Sequence, residues 1–341
     1  MEKKLSIIVP IYNAEAYLKH CLESLIDPEV ELVLVNDGSI DDSANIISEF
    51  QQETNQDIIV IHQKNKGVSE ARNRGLQKCT GDWIFFVDSD DYLTENAIPI
   101  IKSYLNQDSE LIIFPFQRTS FQTKIVAKKG SDYTIEATKL VELALLGENC
   151  EQEFSNYDFR SSCGKLINRK LLQYLKFDSN IYIGEDFLVM LKIYSKISTV
   201  TLVNTQLYCY YDNQNSVVNS FHKNYQNNID IVYHNINRII RNCSNYDSET
   251  IELAFSFYKI NDFLLLLKYD YFNQNNHISW NERKNLLNKA KDKYRFKEIY
   301  FKLKESGNIK KISYQKRILY FILYIRLYFL AYWIFKLKYR R

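Results

Sequence analysis

Short apolar runs alternate with amphipathic segments along the first third of the chain. Four runs have the length and continuity of buried strands: Leu5–Val9, Val30–Val35, Ile58–Ile61 and Trp83–Val87. The segments between them carry apolar residues at helical spacing: Glu15–Ile26, Ser39–Phe50 and Ser69–Lys78. Strands that alternate with helices in this way predict a doubly wound α/β domain.

Polar residues follow each of the four predicted strands. The clusters are Pro10–Asn13, Asn36–Ser39, Lys64–Gly67 and Asp88–Asp91. One such cluster could be chance, because loops are polar in general. Ligands of doubly wound sheets collect at the carboxyl ends of the strands. Four clusters on one rim therefore predict a binding site.

The acidic cluster after the fourth strand is the sharpest chemical signal in the sequence. At strand-like spacing, Asp88 and Asp90 project to the same side and face one ligand together. Two neighbouring carboxylates repel each other unless a cation lies between them, and Mg²⁺ or Mn²⁺ prefers such oxygen ligands. The alternative is a solvated acidic turn with a helix cap at Thr94.

Composition and charge exclude several classes of protein and of binding partner. A hydrophobic fraction of 46% with only 9 Gly and 4 Pro indicates a globular chain, and no Gly-rich dinucleotide or P-loop fingerprint is present. The last 36 residues carry nine Lys or Arg and no Asp or Glu, so the rest of the chain is net acidic. This asymmetry favours an anionic membrane surface over nucleic acid as a partner.

The C-terminal third is predicted to be helical. Helices are expected at Asn224–Asn242, Ser248–Tyr269 and Trp280–Lys304, followed by the apolar segment Ile318–Phe335, in which Arg326 is the one charged residue. A spanning helix needs about 20 apolar residues, and a central Arg is costly there. A helix lying in the membrane interface fits better, and a helix buried between the subunits of a homo-oligomer is the alternative.

The six cysteines show no CxxC pair or metal-finger spacing, which is typical of a reducing compartment. The apolar run near the start is too short for a signal peptide. We therefore expect a cytoplasmic location.

Taken together, the four motifs resemble a bacterial family 2 glycosyltransferase. They are Ser6–Asn13, Val35–Ser39, Gly67–Gly75 and Phe86–Asp91, in that order. The resemblance is dense over residues 4–95 and continues more thinly to about residue 218. It implies the GT-A fold, which is nucleotide-diphospho-sugar transferase-like, and an inverting reaction.

The resemblance also implies roles for single residues. Pro10, Tyr12 and Asp37 would hold the nucleotide base and ribose, with Asp37 accepting a hydrogen bond from the base. Arg72 would lie near the ribose and diphosphate, although an exposed helix residue is the alternative. Asp88 would contact the ribose or the metal, and Asp90 would be a metal ligand.

Glu185 and Asp186 resemble the family's general base, and Asp186 is favoured over Glu185. Inversion requires one carboxylate to take the proton from the acceptor hydroxyl. Acidic residues in the first turn of a helix also complement the helix dipole, which is the structural alternative. Asp212 and Asn213 stand where the family often has Arg, so a cationic contact from that loop is in doubt.

The sequence thus predicts a metal-dependent transferase that uses Mn²⁺ or Mg²⁺ and moves a sugar from a nucleotide donor, UDP-linked, to a hydroxyl of a glycan or lipid-linked saccharide. A catalytic domain is expected over residues 1–222, with a donor half at about 1–95 and an acceptor half at about 96–222. A helical region at 223–341 would end on the inner face of the cell membrane. The alternative is a non-catalytic subunit that binds a nucleotide sugar or acts as a scaffold. A nucleotidyltransferase is disfavoured, because it would need a Gly-rich basic loop after the first strand and Pro10–Asn13 is not such a loop.

Overall fold

Two sheets and thirteen α-helices make up most of the regular structure of the described residues. The structure is a computed structural model, and it describes residues 4–119, 131–211, 224–242 and 247–338. The strands are β1 Leu5–Ile11, β2 Val30–Asn36, β3 Ile58–His62, β4 Trp83–Phe86, β5 Tyr92–Leu93, β6 Leu111–Ile113, β7 Phe116–Thr119, β8 Tyr133–Glu136, β9 Lys165–Asn168, β10 Thr199–Leu202 and β11 Tyr208–Tyr211.

The first seven helices are interspersed with the strands along the chain, and the remaining six follow the last strand. They are α1 Leu18–Glu23, α2 Ser43–Glu53, α3 Val68–Lys78, α4 Ala97–Lys102, α5 Ala137–Leu146, α6 Arg169–Leu172, α7 Glu185–Tyr194, α8 Tyr225–Arg241, α9 Ser248–Leu266, α10 Trp280–Lys293, α11 Phe296–Glu305, α12 Tyr314–Tyr324 and α13 Tyr328–Lys338. The predicted α/β core with a helical C-terminal region is confirmed, and its sheet is mixed.

The chain divides into two units. The first comprises Met1–Ala144, Glu153–Asn213 and Arg241–Cys243, and it contains both sheets. The second comprises Leu145–Gln152, Gln214–Ile240 and Ser244–Arg341 and is helical.

The large sheet has the strand order β3-β2-β1-β4-β9-β6-β10-β8. Strands β1 to β4 run parallel, whereas β9 is antiparallel to both of its neighbours. The order reverses at β1, because β2 and β3 lie on one side of it and β4 on the other. Such a reversal opens a crevice at the carboxyl ends of the strands, where ligands bind.

Close packing of α3 against β1 shapes this crevice. Every residue of β1 and β2 is buried, as expected of strands that are covered on both faces. A Cβ added at Gly75 of α3 would lie 2.4 Å from Cγ2 of Ile8, so only glycine allows the helix to approach the strand this closely. This approach sets where the polar end of α3 lies.

A buried carboxylate ties the other end of the sheet together. Glu31 of β2 accepts hydrogen bonds from the Ser6 hydroxyl and, at 2.7 Å and 2.6 Å, from the N–H and hydroxyl of Thr80. Burial alone would raise the pKa of Glu31, but these hydrogen bonds hold it below its usual range. The loop that leads into β4 is therefore anchored to β1 and β2.

The second unit departs from the helix boundaries that the sequence predicts. The predicted helix Trp280–Lys304 is interrupted, because Arg295 has φ +54° and separates α10 from α11. The prediction of a single membrane-associating helix over Ile318–Phe335 is wrong. The segment forms two helices, α12 and α13, because Arg326 takes φ +63° and the first helix ends before it.

The break keeps a charge out of an apolar helix. A continuous helix would hold the Arg326 guanidinium in the middle of an apolar run, whereas the turn leaves it exposed. None of the helices in the described ranges is long and apolar enough to cross a membrane.

We predict that Gly81→Ala destabilises the first unit by about 3 kcal/mol or more. A Cβ at Gly81 would lie 2.7 Å from the Ser6 nitrogen and 2.9 Å from the Lys4 carbonyl oxygen, and this backbone has no room to move. Urea unfolding measures the change. Gly307→Ala is the comparison, because Gly307 has φ +72° but no atom within 4 Å, so backbone strain alone should cost roughly 1–2 kcal/mol. If the Gly81→Ala variant is as stable as the wild type, the backbone of Lys4 and Ser6 does not pack against Gly81 as closely as described.

Candidate active site

The loops that follow β1, β2 and β3 meet at one edge of the large sheet. The Asn13 side chain accepts a hydrogen bond from the Ile40 N–H at 2.9 Å, and the Ser39 hydroxyl accepts one from the Asn13 N–H at 3.0 Å. The Gln63 side chain donates to Asp37 at 2.7 Å. The structure thus brings three of the four predicted polar clusters together. The fourth follows β4, which lies parallel to β1 and ends at the same edge.

Asp37 is buried and holds the loop that precedes α3. Its Oδ1 accepts from Gln63 and from the Lys66 N–H at 2.9 Å, and its Oδ2 accepts from the Gly67 N–H at 2.7 Å. A carboxylate offers about four lone-pair positions. One position therefore remains, and recognition of a nucleobase by Asp37 stays a prediction.

Pro10 and Tyr12 lie at the end of β1 in different surroundings. Pro10 is buried within the strand, whereas the Tyr12 side chain is 49% exposed at the edge of the sheet. The exposed ring is the one of the two that offers a flat surface to a ligand. Their predicted contacts with the base and ribose are not tested by the geometry.

Arg72 links two acidic segments that are far apart in the sequence. One terminal nitrogen of its guanidinium donates to Asp88 at 3.0 Å, and the other donates to Glu185 at 3.0 Å. The side chain is only 4% exposed and lies under the Phe177 ring, whose centroid is 5.4 Å away. Burial by itself lowers the pKa of Arg72, but Asp88 and Glu185 more than reverse this, so its pKa is raised.

Sequence reasoning missed the residues that hold Phe177 in place. Asn73, next to Arg72 in α3, donates from its side chain to the Phe177 carbonyl at 2.8 Å and accepts from the Phe177 N–H at 3.0 Å. The adjacent Arg-Asn pair is a visible signal, but its partner lies more than 100 residues away. No local pattern identifies such a contact.

The acidic segment after β4 presents its carboxylates in two directions. Asp88 and Asp90 are half-buried at the edge of the sheet, whereas Asp91 is buried. Asp91 accepts from the Tyr208 hydroxyl at 2.6 Å and from the Tyr211 N–H at 2.9 Å, so it anchors the segment to β11. Burial, with the charges of Asp88 and Asp90, raises the pKa of Asp91 well above its usual range.

The carboxylates of Asp88 and Asp90 are suitable donors for a hard divalent ion. Arg72 occupies Oδ1 of Asp88, and no described residue donates a hydrogen bond to its other oxygen. Oxygen donors of this kind suit Mg²⁺ and Mn²⁺. The described part of the chain contains no group of three or more His, Cys, Asp or Glu that could hold a metal by itself. Any ion here would need further ligands from a substrate or water.

Glu185 and Asp186 begin α7 and occupy different environments. Gly184, with φ +98°, precedes them and turns the chain into the helix. Glu185 is buried against Arg72, whereas Asp186 is half-buried and accepts from the Phe187 N–H at 2.7 Å. Burial, together with the Glu185 charge, raises the pKa of Asp186 to about 7.

A carboxylate with a pKa near neutrality is suited to proton transfer. Groups whose pKa lies close to the working pH are the most effective general acids and bases. Glu185 is committed to an ion pair, so Asp186 is the member of the pair whose environment fits the predicted role. Asp212 and Asn213, at the predicted departure from the family pattern, lie outside the described residues.

A family profile matches the part of the sequence that contains Arg72, Asp88 and Asp90 and ends before Glu185. The profile described as Glycosyl transferase family 2 matches residues 6–175. Glycosyltransferase GlyA of Streptococcus pneumoniae serotype 4 is 32% identical over 219 residues. This alignment covers 62% of the chain but only 31% of GlyA, so the chain spans about a third of that relative.

Solved structures share the architecture at much lower identity. Staphylococcus aureus TarS 1–349, solved in complex with UDP-GlcNAc, superposes with a TM-score of 0.64 at 18% identity, covering 99% of this chain and 91% of that one. The mannosyltransferase PcManGT from Pyrobaculum calidifontis, in complex with GDP-Man and Mn²⁺, gives a TM-score of 0.52 at 11% identity, covering 99% and 88%. At such identities the comparison shows the fold alone.

We predict that Arg72→Lys costs about 3–5 kcal/mol of stability, because a lysine cannot bridge both carboxylates and leaves a buried acid unpaired. Arg74→Lys on the same helix is the matched control. Arg74 is exposed and donates to Gln77, so its replacement should change stability by no more than about 0.5 kcal/mol. Chemical unfolding of both variants measures the difference, and equal stabilities would show that the bridge contributes little.

Proposed function

The chain belongs to glycosyltransferase family 2, and on that basis we propose that it transfers a sugar from a UDP-linked donor to a hydroxyl of a glycan acceptor, with inversion at the anomeric carbon. The observation that carries this proposal is the Arg72 bridge. It holds the acidic segment of Asp88 beside the Glu185–Asp186 pair, so a donor-binding group and a candidate base share one edge of the sheet.

Asp186 acts as the base in the proposed reaction. It takes the proton from the acceptor hydroxyl while the oxygen attacks the anomeric carbon. A new carbon–oxygen bond to the acceptor forms, the bond to the β-phosphate breaks, and the nucleoside diphosphate leaves with the electron pair. A raised pKa supports this role, because the carboxylate is basic enough to accept a proton near neutral pH.

Asp88 and Asp90 would hold a divalent ion, Mn²⁺ or Mg²⁺. Their oxygen donors fit such an ion, and a bound ion would neutralise the charge that develops on the leaving diphosphate. The structure of PcManGT with GDP-Man and Mn²⁺ supports a metal in this fold. With two carboxylates from the chain, the diphosphate and water would complete the coordination.

The residues at the edge of the sheet would make the remaining contacts with the donor. Tyr12 would lie against the base, Pro10 would shape the floor beneath it, and Asp37 would accept from the base with its remaining lone pair. Arg72 would act indirectly on the diphosphate, by orienting Asp88. The complex of TarS with UDP-GlcNAc supports a uridine nucleotide and an N-acetylhexosaminyl or hexosyl group as donor.

We further propose that the protein acts in surface-polysaccharide or related glycoconjugate assembly, peripherally on the inner face of the cell membrane. The support is the absence of acidic residues after Glu305 in a sequence that carries nine basic residues there. An anionic membrane attracts such a segment. Lipid-linked saccharides would be presented at that surface.

We predict that Asp186→Asn lowers kcat roughly 100- to 10,000-fold, the usual contribution of a general base, while UDP binding changes by less than about twofold. In the wild type, kcat/KM should fall about tenfold per pH unit below pH 7, because the base is then protonated. Rates of nucleoside diphosphate release across a pH series measure both effects.

Glu185→Gln is the matched control for this prediction. It removes the charge that pairs with Arg72, so it should lower stability, and because that charge helps to raise the pKa of Asp186, the fall in kcat/KM should move to lower pH while activity above pH 7 is kept. The assignment of the base to Asp186 is wrong if Asp186→Asn stays active and Glu185→Gln, still folded, is inactive.

We predict that Asp90→Asn weakens Mn²⁺-dependent UDP binding at least about tenfold, because one metal ligand is lost. Calorimetry of UDP with and without Mn²⁺ measures this, and Asp108→Asn, the same change at an exposed position, should leave binding unchanged. If UDP binding is the same with and without Mn²⁺ and is unchanged in Asp90→Asn, Asp90 is not a metal ligand. UDP binding without turnover of any nucleotide sugar would favour the scaffold alternative.

A further inference from the structure

A basic pocket lies at the start of α12, in the second unit. It is a cavity of about 330 Å³ lined by Lys310, Lys311 and Arg317 among others. The one acidic side chain among the lining residues, Glu148, is paired with Lys316. The pocket therefore presents three cations whose charge is not balanced by the described residues that line it.

The cations of the pocket are available to a ligand. Neither Lys310 nor Lys311 forms an ion pair with any described residue, and both are exposed. The Arg317 guanidinium lies over the Tyr314 ring, 5.5 Å from its centroid, and adds a third positive charge to the wall of the pocket. A phosphate group, with several acceptor oxygens, would satisfy such a set of donors.

An apolar stripe on α12 begins at this pocket. Tyr314, which lines the pocket, is followed by Ile318, Phe321 and Ile325, at spacings of four, three and four residues. This spacing puts the first three on one face of the helix, and Ile325 is the residue that caps its C-terminal end. They are between 41% and 69% exposed, so the face is not covered by the rest of the unit.

We propose that this surface binds an anionic lipid, with the headgroup phosphate in the basic pocket and the apolar stripe of α12 in the acyl boundary of the bilayer. Cations at one end of an apolar helical face match the division of a lipid into phosphate and hydrocarbon. The inference rests on the proposed membrane attachment but not on the proposed transfer reaction.

Charge favours a lipid over a second copy of the chain. No acidic residue occurs after Glu305, so two copies that met through this surface would bring like charges together. An anionic bilayer supplies both the apolar phase and the counter-charge. The proposal therefore commits to a membrane as the occupant.

The test is co-sedimentation of the full chain with vesicles of phosphatidylcholine alone or mixed with phosphatidylglycerol. The wild type should bind the mixed vesicles only. Each basic residue near an anionic surface contributes roughly fivefold to affinity, so Lys310→Gln with Lys311→Gln should weaken binding about 30-fold. Lys284→Gln with Lys289→Gln removes the same charge from exposed positions of α10 and should change binding less than about twofold.

A second pair of variants tests the apolar half of the surface. Ile318→Ser with Phe321→Ser should abolish sedimentation with the mixed vesicles, because the helix then loses its apolar contact. Phe301→Ser, at a residue that is 50% exposed on α11, is the control and should bind as the wild type does.

Each contrary result would overturn a different part of the proposal. Equal losses in both lysine pairs would show that net charge alone drives binding and that the pocket is not a site. Calorimetric binding of inorganic phosphate without vesicle binding would assign the pocket to a soluble phosphate. Failure of the wild type to bind vesicles, with a dimer seen by light scattering, would assign the stripe to a second copy. UDP binding, measured on the same preparations, reports on the donor site independently.

Discussion

A single buried guanidinium fixes the relation between the two acidic parts of the site. Arg72 is 4% exposed, so its charge is tolerable only because Asp88 and Glu185 both pair with it. The reverse holds for Glu185, whose buried carboxylate would be costly without the arginine. A planar fork with two terminal nitrogens meets this geometry, and a point charge does not. Arg72 therefore links the start of α7 to the segment that follows β4.

That side chain lies where it does because of a packing constraint in the sheet. Gly75 lets α3 approach β1 more closely than any larger residue would allow, and Arg72 precedes it by about one helical turn. The bridge also explains why the adjacent carboxylates of Glu185 and Asp186 have different environments. Glu185 turns towards the cation and forms an ion pair with it, whereas Asp186 has no such partner among the described residues and is held next to the Glu185 carboxylate in a poorly solvated position. The raised pKa of Asp186 is a consequence of this arrangement.

The sequence predicts the parts of this structure that depend on local pattern. The strands β1, β2 and β4 match the continuous apolar runs within two residues at each end, and Asp88 and Asp90 stand at the edge where strand-end clusters were expected. The burial of Arg72 and the Tyr208 anchor of Asp91 depend on partners more than 100 residues away, which no local period encodes. The break at Arg326 is hidden because tyrosines recur every four residues across it.

The division of that last segment into two helices changes what its apolar residues imply. Along α12, Leu319 and Leu323 are buried within the second unit, whereas Phe321 and Ile325 face outward. The helix is thus apolar on two sides, and a helix of this kind is stable in water only when both sides are covered. Packing against the unit covers one side. The cations beside the other side favour a negatively charged apolar phase, because self-association would leave their repulsion uncompensated.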